Sequence, residues 1–147
     1  MVLRRLSWLS IAVACACGGS AKSGPGPDDG SAPVVKKASL SWGIKASGAS
    51  SEVFLAVTDE NGRATSHPLG RYDGECAVIS QGRSTTGAIT AVVCKRGDVG
   101  VELDAIPRPG VIIVLKMPHV TGADPDPLAG EELAHINVPI GAKIETN

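Results

Sequence analysis

From Val34 onward, apolar and polar residues alternate with a period of two, and the pattern predicts strands rather than helices. Leu40, Trp42, Ile44 and Ala46 alternate with Ser39, Ser41, Gly43 and Lys45, a half-buried strand broken at residues 47–51. Residues 52–58 repeat the pattern, with Val53, Leu55 and Val57 on one face. Asp59-Glu60-Asn61-Gly62 supplies a hairpin turn, Gly62 suiting its left-handed position. Residues 63–69 return as a shorter strand, and Pro68 marks it as an edge, where a missing ladder N–H is tolerated.

The stretch from Cys76 to Cys94 reads as a β-hairpin closed by a disulfide. Its apolar arms, residues 77–79 and 88–93, flank a polar turn over residues 80–87. With Cys76 opposite Cys94, the register sets Val78 against Val92 and Ser80 against Thr90 on one face. Ala77 against Val93 and Ile79 against Ala91 then occupy the other. Directly opposed residues stand about 4.5–5.5 Å apart at Cα, within disulfide reach.

Lys95-Arg96-Gly97-Asp98 turns the chain into a strand over residues 99–106, with Val99, Val101, Leu103 and Ala105 inward. Residues 107–110, Pro-Arg-Pro-Gly, form a firm turn. Residues 111–115 are five consecutive apolar positions and read as a central strand. A long polar loop follows over residues 118–130, then a strand over 133–140 and a final short one over 142–146. Residues 131–135 are open to a second reading as one helical turn. Short strands ended by turn chemistry predict an all-β fold, an antiparallel β-sandwich of about seven to nine strands, with a small β-barrel as the alternative.

Ahead of the domain, Arg4 and Arg5 precede an apolar run, Leu6-Ser-Trp-Leu-Ser-Ile-Ala-Val-Ala14. This is a leader rather than a membrane span, which needs about 20 apolar residues. It ends in Ala14-Cys15-Ala16-Cys17-Gly18-Gly19-Ser20, which resembles the lipobox of bacterial lipoproteins. The resemblance implies a diacylglycerol thioether and further acylation, such as palmitate, at Cys17, with Cys15 as the alternative. It also implies a lipid-anchored envelope protein. Gly or Ala rather than Asp after the cysteine implies the outer membrane. A plain secretory signal that happens to end in cysteines is the competing reading. The chain then divides into a signal peptide over residues 1–17, a Gly/Pro/Ser tether over 18–33 and one domain over 34–147.

Composition narrows the function. Fourteen Lys and Arg against fifteen Asp and Glu leave no basic stripe, which argues against a nucleic-acid partner. Beyond the leader the aromatic residues are Trp42, Phe54 and Tyr72, too few for a sugar-stacking or single-strand platform. His67, His119 and His135 fall on separate elements without ligand spacing, so they read as surface residues rather than a metal site with Asp124 or Asp126. Asp124, Asp126, Glu131 and Glu132 could serve calcium, but the EF-hand spacing is absent. Arg96-Gly97-Asp98 reads as a turn, and Glu102 and Asp104 as neighbours on a solvated strand face.

No nucleophile elbow occurs, and Cys76 and Cys94 are spent on each other. The expectation is therefore a non-catalytic binding or structural module without cofactor or metal, acting with an envelope protein partner. The loop over residues 118–130, with Asp124, Asp126 and Leu128, is its candidate ligand site. The alternative is a metal-dependent or hydrolytic enzyme using that His/Asp region.

Overall fold

The computed structural model describes residues 36–79 and 85–147. The expected signal peptide, both candidate lipidation cysteines, the expected tether and the expected Ser80–Thr90 pair lie outside the described residues. Nine strands run in order: β1 (Lys37–Ser47), β2 (Ser50–Asp59), β3 (Ala64–Asp73), β4 (Glu75–Ile79), β5 (Thr90–Arg96), β6 (Val99–Arg108), β7 (Val111–Val120), β8 (Glu131–Asn137) and β9 (Lys143–Thr146). They form a four-stranded sheet, β3-β2-β1-β9, packed on a five-stranded sheet, β4-β5-β6-β7-β8. This is the expected sandwich, and neither sheet closes into a barrel.

The core lies between the sheets. Leu40, Val53 and Leu55 from one meet Val92, Leu103, Ile112 and Val114 from the other. Trp42 bridges them: its indole N–H donates 3.0 Å to Thr90 Oγ1, which satisfies a polar edge inside an apolar layer. The outer face of the four-stranded sheet is small or polar, apart from Phe54 and Pro68, which stand opposite each other. The Phe54 ring lies over Gly43, directly opposite on β1, where a Cβ would come within 1.9 Å of it.

The disulfide joins Cys76 to Cys94 in the expected register, with Val78 opposite Val92, Ala77 opposite Val93 and Ile79 opposite Ala91. Cys94 is fully buried, so the bridge ties edge strand β4 to the core. Arg96-Gly97-Asp98 does span a turn, the two residues between β5 and β6. Pro68 sits in β3, an edge strand as read. β3 nevertheless runs on to Asp73 through a bulge at Leu69–Gly70, where the Tyr72 hydroxyl donates 2.6 Å to the Leu69 carbonyl.

Four expectations need correction. β7 continues to Val120, so residues 118–120 are strand, because Val101, Gly100 and Val99 of β6 still pair with Pro118, His119 and Val120. The loop is shorter and contains a 3-10 turn, Pro127–Ala129. The strand expected over residues 133–140 is β8 instead, Glu131–Asn137, so residues 138–140 leave the sheet. Residues 131–135 are strand rather than the helical turn left open, because the β7 edge offers hydrogen bonds that one isolated turn lacks. Val99 is 61% exposed: it keeps the inward parity of β6 but lies beyond the end of the core. The sandwich is also not wholly antiparallel. The chain crosses to the other sheet after β8, so β9 enters beside β1 in the same direction.

Two outcomes follow from this packing. Cys76→Ser should lower the unfolding free energy by about 2–4 kcal/mol in denaturant titration, and the unfolded, unreduced wild-type domain should present no thiol from this pair. Tyr72 is the one tyrosine of the chain, and burial, its largest influence, pushes its phenol up; Lys116 opposes this and Glu131 adds to it. The folded value therefore lies above the unfolded one. Stability is complete below the unfolded value, about 10, and is lost as pH rises through the folded value. Ultraviolet titration of the phenolate should show its midpoint shifted upward when folded and normal in denaturant.

Candidate functional site

The chemistry gathers on the outer face of the five-stranded sheet, away from the core. β6 alternates, so Val101, Leu103 and Ala105 point inward while Gly100, Glu102 and Asp104 point out. An outward carboxylate normally meets water, yet Glu102 and Asp104 are both fully buried. The expectation of a solvated face is overturned. Glu102 sits between Val93 of β5 and Met117 of β7, and Asp104 between Ala91 and Leu115. Ala91 and Met117 are fully buried too, and Val93 nearly so.

Connecting segments cover the face. From the β4–β5 connection, the Thr86 hydroxyl donates 2.5 Å to Asp104 Oδ2. From the β7–β8 connection, Gly130 packs against Leu115 so closely that a Cβ would lie 2.8 Å from its side chain. Withdrawing a carboxylate from water costs several kcal/mol unless hydrogen bonds replace the hydration, and Thr86 gives Asp104 Oδ2 one such bond. His119 Nδ1 stands 3.2 Å from Glu102 Oε2, with the imidazole nearly as deep as the acid. The reading of His119 as a solvated surface residue is thereby corrected.

Beside this pair the cover is incomplete. A groove of about 410 Å³ runs over Ala77, Ile79 and Val93, with His119 on one wall. Glu75 and Lys95, opposite each other on β4 and β5, line it as well. Lys95 is steadied by its ammonium, which donates 3.1 Å to Thr121 Oγ1. Gly100 makes the arrangement possible: a Cβ there would lie 2.0 Å from the Cys94 carbonyl oxygen and 2.8 Å from Lys95 Cβ. Chemically, the groove offers an apolar floor, an imidazole oriented by a buried carboxylate, and one charge of each sign.

The other sequence candidates lie elsewhere. His67 and His135 line a separate groove at one end of the sandwich, and His135 Nε2 is 2.7 Å from Glu132 Oε2. Asp126 caps the 3-10 turn by accepting 3.0 Å from the Leu128 backbone N–H, while Asp124 is exposed. Leu128, the expected apolar contact, is 95% exposed. Glu131 pairs with Lys116 at 2.9 Å. Among the described residues, no group of three His, Cys, Asp or Glu side chains is placed to hold a metal ion.

The Glu102–His119 pair was missed in the sequence, although a signal for it exists. The strands on either side of β6 carry Ala91-Val92-Val93 and the apolar run over residues 111–115, with no polar alternation. A strand apolar on both faces is covered on both faces. Acids placed between two such strands are therefore buried.

Compared with protein-family models, curated proteins and solved structures, the chain matches none.

Replacing His119 by Ala removes a hydrogen bond from a carboxylate held out of water. The unfolding free energy should fall by about 1–3 kcal/mol. Asp124→Ala, at an exposed loop position, should stay within about 0.5 kcal/mol of wild type in the same denaturant titrations.

Proposed function

We propose that the chain is a lipid-anchored protein of the bacterial cell envelope, favouring the outer membrane, whose sandwich acts as a non-catalytic binding module. The lipobox-like Ala14-Cys15-Ala16-Cys17 and the Gly/Pro/Ser-rich run after it support the anchor and a tether that holds the domain off the bilayer. The observation that carries the binding reading is the groove beside His119. It leaves apolar side chains uncovered beside the buried centre of that face, next to a few fixed polar groups. Small-molecule and segment-binding sites share that composition. Its ligand is an envelope component with an apolar body and a polar end.

A second reading has a specific observation behind it. A buried carboxylate that orients an imidazole at a groove is also the arrangement of a general base, so a hydrolytic envelope enzyme is the alternative. Turnover of chromogenic esters by the wild type, lost in His119→Ala, would favour it.

The test combines acylation with site-specific capture. Cells fed radiolabelled palmitate should yield a labelled chain in the membrane fraction, and Cys15→Ser combined with Cys17→Ser should abolish the label. A photo-crosslinker at Ala77, in the groove, should capture one reproducible envelope component, while the same group at Lys45, exposed on the other sheet, should not. An unlabelled wild-type chain would end the anchor proposal. Equal capture at both positions, or none at Ala77, would end the groove proposal.

A further inference from the structure

A second site lies at the end of the sandwich, far in chemistry from the first. On β3 the inward row places Thr65 opposite Val57 and His67 opposite Leu55, just after the turn that carries Arg63. β8 brings His135 and Asn137 to the other side of the same opening, a groove of about 330 Å³ floored by Ala38, Val57 and Ile136.

The donors outnumber the acceptors here. Asp59 is the one carboxylate lining the groove. One of its oxygens is committed to the turn, accepting 2.8 Å from the Asn61 N–H and 2.9 Å from the Arg63 N–H. Among the described residues, neither the Arg63 guanidinium nor the His67 ring makes a hydrogen bond or ion pair. His135 Nε2 is already 2.7 Å from Glu132 Oε2, so the Arg63 guanidinium and the His67 ring are the donors left for a ligand, and they suit an anion rather than a metal cation. The planar fork of the guanidinium matches a phosphate in particular, as two parallel N–H donors meeting two oxygens. The apolar floor lowers the local dielectric and strengthens that attraction.

We propose that this groove binds the phosphate group of a phosphate ester, with Arg63 as the main contact, His67 as a flanking donor and His135, held by Glu132, on the opposite wall. The ester can be a small soluble metabolite or the headgroup of an anionic phospholipid. The chemistry that recognises them is shared.

Two arms separate the sources, both using a full chain carrying Cys15→Ser and Cys17→Ser, so that no acyl anchor can hold it to lipid. In the first, amide and imidazole NMR signals are followed as inorganic phosphate is added, against sodium chloride of matched ionic strength. Saturable shifts confined to the surroundings of Arg63, His67 and His135 are expected, weakened about tenfold or more in Arg63→Gln. Arg63 is exposed, so that variant should keep its fold, and an unchanged denaturation midpoint checks it. In the second arm, the same chain is sedimented with equimolar phosphatidylglycerol–phosphatidylcholine vesicles or with phosphatidylcholine alone. Retention on the anionic vesicles that fails in Arg63→Gln assigns the headgroup. A saturable phosphate response without such retention assigns a soluble ester. Chloride shifts equal to those of phosphate, or responses in both arms that Arg63→Gln leaves unchanged, would overturn the site.

Discussion

The constraint on which this structure depends is that its five-stranded sheet is covered on both faces. From Val34 on, the chain has three large aromatic residues, of which Phe54 faces outward from the other sheet, and this leaves the inter-sheet layer to aliphatic residues of modest size. A second layer of cover extends the core. Ala91, Val92, Val93 and Cys94 are four consecutive buried residues on β5, and residues 102–106 of β6 are buried without a break. Alternation cannot produce that by itself. It needs chain on the outer side, which the connections before β5 and before β8 provide.

Covering a sheet face that carries acids has a chemical consequence. Glu102 and Asp104 give up hydration, and hydrogen bonds from His119 and Thr86 help to replace it. The site is thus a by-product of the fold's second apolar layer. Where the cover stops, over Ala77 and Ile79, the oriented imidazole meets an open groove. The disulfide contributes at the same place. It fixes short edge strand β4 in one register against β5, so the apolar floor of the groove is set by a covalent bond rather than by five residues of ladder alone.

The two grooves divide the chemistry of the domain. The one on the sheet face pairs an apolar floor with a carboxylate-oriented imidazole and balanced rim charges. The one at the sandwich end is rich in donors around Arg63. Under the proposed lipid anchor the domain would meet envelope components at high local concentration, and even modest sites of this kind would then bind effectively.

Much of the architecture was legible in the residues. Period-two alternation marked nearly every strand, Asp59–Gly62 and Gly97–Asp98 marked turns, and the spacing of Cys76 and Cys94 set the hairpin register, since parity in a strand decides which side chains share a face. What alternation leaves undecided is what lies against each face. Only the tertiary structure determined that Glu102 and Asp104 are buried, that His119 leans on one of them, and that His67 and His135 share a groove without it. The direction of β9 and the extension of β7 past Pro118 belong to the same class. Each depends on a neighbouring strand distant in sequence that offers hydrogen bonds and cover, and the local pattern of a strand contains no term for its neighbour.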